Sequence, residues 1–182
     1  MINVYVVRHC KAEGQAADAP LTEAGIQQAD KLADFLSGRN IDAIHSSPYE
    51  RAYRTITPLA DKLGLEVKLD ERLVERVLSD KNCPEWRDML HKTYDDLDLC
   101  YEGGESSSAA MNRAVRVIKD IMSSGYRNTV LVSHGNLISL LLKHYDDRIG
   151  FKEWEAMSNP DVYRLSFMND RSGIGIDRMW TV

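Results

Sequence analysis

Four short apolar runs, separated by segments with helical spacing, constrain the fold of this 182-residue chain more than any other feature. The runs are rich in β-branched residues and occupy residues 2–7, 41–45, 66–69 and 129–133. Strands that alternate with helices are typical of α/β proteins, in which helices cover both faces of a mostly parallel sheet. The sequence therefore predicts a three-layer α/β/α fold with a mostly parallel central sheet.

Two segments show the three- and four-residue spacing of apolar side chains that predicts amphipathic helices. The first follows Thr22, whose hydroxyl can cap the helix, and the other follows Ser106 or Ser107, either of which can be the cap. The apolar face of the first comprises Ile26, Ala29, Leu32, Ala33 and Leu36. The apolar face of the other comprises Met111, Ala114, Val115, Ile118 and Met122.

A further helix is predicted after the second apolar run, where Pro48 suits a first helical turn and Ser46 and Ser47 can cap it. This helix carries Arg51 in its first turn. Pro58 lies farther along the same segment, and proline inside a helix removes a backbone hydrogen bond. We therefore expect a kink or an interruption at Pro58.

The rest of the chain completes a single predicted domain, residues 1–182. Residues 78–102 carry an aromatic residue, a predicted short helix and an acidic run, and we interpret them as an insertion over the active-site edge. Near the C-terminus, two strand-like segments surround a turn at residues 169–173 and predict a pair of edge strands.

Composition limits the class of partner. The formal net charge is -5, which disfavours nucleic acid because duplex binding depends on clustered Lys and Arg. No apolar run approaches the ~20 residues of a membrane helix, and the N-terminus lacks the pattern of a secretory signal. The three cysteines have no C-x-x-C spacing, so free thiols are expected. We therefore expect a cytoplasmic protein with neither membrane nor nucleic-acid partners.

Basic side chains concentrate where the predicted strands end. Arg8 and His9 follow the first strand, His134 follows the fourth, and Arg51 opens the helix after the second. Ligands of open α/β sheets bind beyond the carboxyl ends of the strands, and a helix N-terminus with an arginine favours an anion. These four side chains are expected to form a compact cationic pocket that suits a phosphoryl group.

Each of these residues also has a purely structural interpretation. An Arg-His pair after a strand is on its own more typical of a solvated strand end, and His134 with the following glycine can simply mark a turn. Arg51 can be a surface helix residue, and Glu75 is one charge among several in "DERLVER". The predicted topology favours the functional interpretation, because it brings all four basic groups to one edge of the sheet.

The same residues lie in six segments that resemble, in order, the motifs of the histidine phosphatase superfamily, which includes phosphoglycerate mutases and small broad-specificity phosphatases. The segments are "VVRHCKAEG", "PLTEAGIQQADKLADFL", "IDAIHSSPYERAYRTITPLA", "DERLVE", "GGES" and "TVLVSHGN", and the resemblance as a whole spans roughly residues 2–142. The resemblance implies that His9 is the nucleophile and that Arg8, Arg51 and His134 hold the phosphoryl oxygens. It implies that Glu75 is the general acid, and that neither a metal nor a cofactor takes part.

Two positions depart from the family pattern. Cys10 replaces the usual glycine after the Arg-His pair, and "RVLSDKNCPEW" follows Glu75 where the family commonly has a glycine and a Trp-Glu-Gly run. Beside cationic groups, we expect Cys10 to favour its thiolate and to be prone to oxidation, although a buried inert thiol is an equal alternative. Within "GGES" we expect a turn and a helix cap, with no catalytic part for Glu105.

The resulting hypothesis is a phosphomonoesterase that acts on a small phosphorylated metabolite or a phosphoprotein through a phosphohistidine intermediate. A phosphoglycerate-mutase-type phosphotransferase and a phosphate-binding module with impaired catalysis are the alternatives. A metallohydrolase is disfavoured, because the histidines lack ligand spacing such as H-E-x-x-H. The natural substrate and the oligomeric state stay open.

Overall fold

The computed structural model describes residues 1–169 and 173–181. Its six strands are β1 (Ile2–Arg8), β2 (Ala43–Ser46), β3 (Val67–Leu69), β4 (Asn128–Ser133), β5 (Asp161–Phe167) and β6 (Ile174–Arg178). They form one sheet in the order β3-β2-β4-β1-β5-β6. Strands β1 to β4 are mutually parallel, whereas β5 runs antiparallel to β1, and β6 antiparallel to β5. The predicted sheet and its C-terminal strand pair are therefore confirmed, while residues 170–172 of the predicted turn lie outside the described residues.

Helices cover both faces of this sheet. They are α1 (Glu23–Ser37), α2 (Glu50–Leu63), α3 (Trp86–Asp95), α4 (Ser107–Ser123), α5 (Gly135–Tyr145) and α6 (Phe151–Glu155). Alternate side chains of β1 point to opposite faces: Tyr5 and Val7 pack with α1 and α2, while Val4 and Val6 pack with α4 and α5. Burial of β1 on both faces explains its apolar sequence, and it confirms the three-layer prediction within one domain.

Side-chain caps start two of the helices at the predicted positions. The Thr22 hydroxyl accepts a hydrogen bond from the Gly25 backbone N–H at 2.9 Å, and Ser106 accepts one from Ala109 at 3.1 Å. Each cap satisfies a backbone donor that the first helical turn leaves without a partner. Of the two proposed caps of α4, Ser106 is therefore the one used.

The prediction that Ile26 and Met122 belong to the core is wrong. Ile26 is 56% exposed, because the buried stripe of α1 begins at Gly25 and continues through Ala29 and Leu32. Met122 is 40% exposed at the end of α4, where Ile121 takes the inward position. In both cases the apolar side chain lies one position away from the face that meets the sheet.

The start of α2 also differs from the prediction. Ser46 belongs to β2, and Tyr49 is the N-cap residue without a side-chain cap. The Ser47 hydroxyl accepts from the Tyr49 backbone N–H at 3.2 Å, just ahead of the helix. Pro58 lies inside α2 and does not interrupt it. The carbonyl oxygen that loses its hydrogen-bond partner to Pro58 belongs to Arg54, which is an exposed residue.

Residues 78–102 contain α3, which packs with α6 above one end of the sheet. Leu78, Trp86 and Leu90 line a cavity together with Arg8 and Glu75. The interpretation of this segment as an insertion stays a prediction. Across residues 1–169 and 173–181, every helix is too short or too polar to cross a lipid bilayer.

We predict that Gly25 is required for the close contact between α1 and the segment after β1. A Cβ atom on Gly25 would lie 2.1 Å from the carbonyl oxygen of Lys11 and 3.3 Å from the Cβ of Leu21. Because this backbone cannot move without displacing the neighbouring residues, Gly25→Ala should lower the free energy of unfolding by roughly 1–3 kcal/mol.

Gly38 provides the matched control, since a Cβ atom on Gly38 would have no neighbour within 4 Å and the φ of this residue is -85°. Gly38→Ala should leave the free energy of unfolding unchanged or raise it by up to about 1 kcal/mol. Urea denaturation of both variants measures the difference. Equal stability of the two variants would show that the contact at Gly25 is unimportant.

Candidate active site

The register of the parallel strands brings three side chains to one edge of the sheet. Arg8 pairs with Ser133, so β1 and β4 end at the same level. The next residues, His9 and His134, therefore lie side by side, with their ring centroids 5.2 Å apart. Ser47 follows β2 at the same level, and its hydroxyl lies 2.8 Å from Nε2 of His134.

The two nitrogens of His9 have different partners, and these partners define its tautomer. Nδ1 lies 2.7 Å from the carbonyl oxygen of Cys10, which can only accept, so Nδ1 carries the proton. Nε of Arg51 donates to Nε2 of His9 at 3.3 Å, so Nε2 presents its lone pair. The ring is 8% exposed. His9 is therefore oriented with its basic nitrogen beside a guanidinium.

Both imidazoles of the site are held in the neutral form. Burial lowers the pKa of His9 to about 4, the positive charges of Arg51 and Arg8 act in the same direction, and the hydrogen bond to Cys10 opposes them. Burial also lowers the pKa of His134 well below its ordinary value, with help from the positive charges nearby. The expected cationic pocket is therefore corrected: its positive charge resides on Arg8 and Arg51, and the imidazoles act as neutral groups.

The guanidiniums are anchored at one end and directed into the site at the other. Nη1 of Arg51 donates to the carbonyl oxygens of Gln15 at 3.1 Å and Ala16 at 2.9 Å. Nη1 of Arg8 donates to the carbonyl oxygen of Met157 at 3.2 Å. These backbone acceptors fix the two side chains without neutralising their charge.

Close packing between Arg8 and α5 depends on Gly135, because a Cβ there would lie 2.9 Å from Cζ of Arg8. Two buried nitrogens of the site, Nε of Arg8 and Nδ1 of His134, have no hydrogen-bond partner among the described residues. Buried polar atoms normally have partners. The oxygens of a phosphoryl group accept hydrogen bonds, so a bound phosphoryl group suits a site where these two nitrogens lack partners.

Glu75 lies at the N-terminus of α5, where backbone donors hold its carboxylate. Oε1 accepts from Arg76 at 2.8 Å and from Leu137 at 2.9 Å, and Oε2 accepts from Asn136 at 3.1 Å. A small cavity of about 130 Å³ is lined by both Glu75 and His9. The structure thus brings together all five predicted site residues, Arg8, His9, Arg51, Glu75 and His134.

A partly buried arginine, Arg113, fixes the chain segment that carries Glu75. Nη1 of Arg113 donates to the carbonyl oxygens of Arg72 at 2.7 Å and Val74 at 2.8 Å, and Nη2 donates to that of Glu75 at 3.3 Å. Nη2 also donates to Oε1 of Glu105 at 2.6 Å. Glu105 therefore serves as the counter-ion of Arg113, in keeping with the structural part expected for it.

Cys10 does not behave as its sequence context predicts. Its side chain is fully buried against Leu21 and Ala29, and burial raises the pKa of the thiol to about 12. The expected thiolate is therefore wrong and the alternative of a buried thiol is confirmed, because burial outweighs the hydrogen bond to Thr55, which lowers the pKa. Cys10 contributes through its backbone instead: its carbonyl accepts from His9, and its N–H donates to Oγ1 of Thr55 at 2.8 Å.

Several contributors to the site are not predicted by the sequence. Ser47 has the pattern of a helix cap, although it contacts His134, and nothing in the helical pattern of α4 singles out Arg113. Asn136 follows His134 and Gly135 directly, and this proximity is the available signal. The remaining histidines lie elsewhere: His91 stacks on Phe151, His144 is exposed, and His45 is half-buried on β2.

A family model described as histidine phosphatase superfamily (branch 1) matches residues 4–175. The chain belongs to the histidine phosphatase superfamily. The predicted resemblance is thus confirmed, and the match extends beyond the motifs into the C-terminal strands. The histidine phosphatase fold accounts for the strand-end arrangement of Arg8, His9 and His134.

Three curated relatives of the chain are named as phosphatases. The chain is 30% identical over 155 residues to "Phosphoserine phosphatase 1" of Hydrogenobacter thermophilus, covering 72% of this chain and 70% of the relative. It is 31% identical over 152 residues to "Glucosyl-3-phosphoglycerate phosphatase" of Mycobacterium tuberculosis, covering 72% and 66%. It is 26% identical to "Adenosylcobalamin/alpha-ribazole phosphatase" of Escherichia coli, covering 97% of this chain and 99% of the relative.

A solved structure of mycobacterial glucosyl-3-phosphoglycerate phosphatase in complex with VO3 superimposes with a TM-score of 0.80 at 26% identity. The alignment covers 99% of both chains. The chain is therefore a hydrolase of phosphate monoesters, as the family match and the phosphatase names of these relatives indicate. In the described part of the chain, no group of three or more His, Cys, Asp or Glu side chains is placed to hold a metal ion.

We predict that His9 makes the stability of the protein depend on pH. An unfolded histidine titrates near 6.5, whereas burial lowers the pKa of folded His9 to about 4. Between these values the unfolded chain binds a proton that folded His9 does not, so the free energy of unfolding falls as the pH drops from about 6.5 to about 4. The contribution of His9 should be on the order of 3 kcal/mol.

Urea denaturation at pH 7 and pH 4.5 measures this effect in the wild type and in His9→Gln, whose amide does not titrate. The variant should lose less stability than the wild type over this interval. His144→Gln is the control, because His144 is exposed. An identical pH dependence in His9→Gln and the wild type would contradict the buried, neutral state of His9.

Proposed function

We propose that this histidine phosphatase hydrolyses phosphate monoesters through a phosphohistidine at His9. One observation carries the proposal: the hydrogen bond from Nδ1 of His9 to the Cys10 carbonyl oxygen leaves Nε2 as an unprotonated nucleophile in a shared cavity with Glu75. A neutral imidazole in a fixed tautomer is a competent nucleophile near pH 7. Arg8, Arg51 and His134 surround the place where the phosphoryl oxygens would lie.

The proposed reaction consists of two displacements at phosphorus. In the first, the lone pair of Nε2 of His9 forms the N–P bond while the P–O bond to the alcohol breaks, and Glu75 gives its proton to the leaving oxygen. In the second, Glu75 takes a proton from water as the water oxygen attacks phosphorus and the N–P bond breaks. Inorganic phosphate is released, and His9 returns to its neutral form.

Arginine side chains stabilise the negative charge of the phosphoryl group in both steps. Phosphoryl transfer spreads negative charge over the three equatorial oxygens, and positioned donors stabilise it. Arg8 and Arg51 supply that charge from fixed positions, since backbone carbonyls anchor each of them. His134, held by Ser47, adds a neutral contact. Such preorganised donors are each typically worth about 10²–10³ in rate.

Small phosphorylated metabolites are the substrate class that the relatives favour, since their names refer to phosphoserine, glucosyl-3-phosphoglycerate and alpha-ribazole phosphates. We therefore infer that the protein is a phosphatase of small molecules. A phosphoprotein substrate, a mutase reaction and a phosphate-binding module without catalysis are the less favoured alternatives. A cytoplasmic location stays a prediction. The three cysteines are free thiols, as their spacing in the sequence predicts.

Trapping of the intermediate tests the proposed nucleophile. Rapid acid-free quenching after incubation with a ³²P-labelled monoester should leave label on His9, in a bond that acid hydrolyses and alkali preserves. His9→Ala should abolish the label and reduce turnover by at least about 10³-fold. His144→Ala, which removes an exposed histidine, should retain both. Acid-stable label, or turnover that EDTA abolishes and zinc restores, would exclude the phosphohistidine route.

The dependence on the leaving group tests Glu75. Glu75→Gln keeps the hydrogen-bond acceptor but removes the proton, so kcat/KM for an alkyl phosphate should fall by about 10²–10⁴-fold. For p-nitrophenyl phosphate, whose leaving group needs no proton, the loss should be much smaller. Glu71→Gln is the control, since Glu71 is exposed in the 3₁₀ turn before Glu75. Equal losses for the two substrates would assign the proton to another group.

A further inference from the structure

A cavity of about 570 Å³ adjoins the phosphate-sized one and is much larger than a phosphoryl group requires. The two share Arg8 and Glu75, so the cavity begins where the ester oxygen of a substrate would lie. Leu78, Trp86, Leu90 and Trp154 form its apolar part, and Gln15, Arg76 and Asn136 complete the lining. The alcohol part of a substrate bound at Arg8 and Glu75 would extend into this cavity, toward its two tryptophans and two leucines.

The two tryptophans form a fixed wall. Their rings meet edge to face, with centroids 6.4 Å apart and planes at 86°. Trp86 begins α3 and Trp154 belongs to α6, and an ion pair between the adjacent residues Arg87 and Glu155 joins these helices. Trp86 is nevertheless 49% exposed, so a large aromatic surface is left available beside the site.

The floor of this cavity is cationic but already hydrogen-bonded. Nε and Nη2 of Arg76 donate to the carbonyl oxygen of Glu105 at 3.1 and 3.0 Å. Asn136 donates to the Tyr94 hydroxyl at 3.1 Å through its side chain. Because these protein contacts occupy their donors, Arg76 and Asn136 are poorly placed to bind a second carboxylate or phosphate of the substrate.

We propose that this cavity binds an aromatic ring, and that the substrate is the phosphate monoester of a small alcohol carrying that ring close to the ester oxygen. The inference rests on the proposed phosphatase function. Aromatic rings pack favourably edge to face, and a guanidinium below a ring is attracted to its π-face. Trp86 and Trp154 supply the first contact, and Arg76 the second, so a flat aromatic ring suits the cavity better than a charged or saturated group.

Three esters with similar leaving groups test the proposal: benzyl, cyclohexylmethyl and n-propyl phosphate. Burial of the additional ring surface should give benzyl phosphate a kcat/KM at least about tenfold above n-propyl phosphate. The gain should appear mainly in KM, because the ring is bound before and during the reaction. Cyclohexylmethyl phosphate should lie between the two.

Variants of the two tryptophans test whether they cause the preference for benzyl phosphate. Trp86→Ala and Trp154→Ala should each lower the ratio of kcat/KM for benzyl over n-propyl phosphate by about fivefold or more, whereas Trp86→Phe should retain most of it. Trp180→Ala is the matched control: this tryptophan packs against Phe35 on the opposite face of the sheet, and its loss should leave the ratio unchanged. Thermal melts confirm that each variant is folded.

Calorimetric binding of benzylphosphonate and propylphosphonate, which cannot be hydrolysed, gives a second measurement that does not depend on turnover. Benzylphosphonate should bind at least about tenfold more tightly, and Trp86→Ala should remove most of the difference. Equal affinities, or a cyclohexyl ester preferred to the benzyl ester, would overturn the aromatic assignment. If none of the esters were hydrolysed, the proposed function would fail, and the phosphonates would still decide the ring site.

Discussion

The hydrogen bond between Nδ1 of His9 and the carbonyl oxygen of Cys10, 2.7 Å long, is the contact on which the site depends. It fixes the proton on Nδ1 and leaves the lone pair on Nε2. The acceptor is itself fixed, because the Cys10 N–H donates to Thr55, and the Thr55 hydroxyl donates to the Arg51 carbonyl oxygen at 2.7 Å. One short chain of hydrogen bonds therefore connects His9, the proposed nucleophile, to the helix that carries the Arg51 guanidinium.

The site contains two kinds of side chain, neutral imidazoles and charged guanidiniums, and burial and charge determine which is which. Desolvation keeps His9 and His134 neutral, whereas Arg8 and Arg51 stay charged although burial lowers their pKa. A nucleophile needs a free lone pair, and a phosphoryl group needs positive charge, so the two requirements fall on different residues. The parallel sheet makes this division possible, because it ends its strands at one level and delivers both kinds of group to one edge.

The sequence predicts the strands and the four basic site residues because these depend on local pattern and on strand order, whereas Glu75 is predicted only by the resemblance to the family. Thr22 and Ser106 cap helices as expected, and β1 is buried on both faces as its apolar run indicates. Errors arise where tertiary packing decides. Ile26 and Met122 lie just off the buried stripes, and the Cys10 side chain is buried among apolar side chains. Arg113 is not predicted because its acceptors are backbone carbonyls about 40 residues away, which no periodicity reveals.

The tautomer and charge of His9 are the most direct test of this account, and long-range ¹H–¹⁵N NMR correlation of the histidine rings reads both. With His9 assigned by comparison with His9→Gln, its spectrum at pH 6 should show a neutral ring with a protonated Nδ1 and a bare Nε2. The same pattern should persist toward pH 5, because burial lowers the pKa of His9 to about 4. A cationic ring at pH 6, or a neutral ring protonated at Nε2, would contradict the proposed nucleophile.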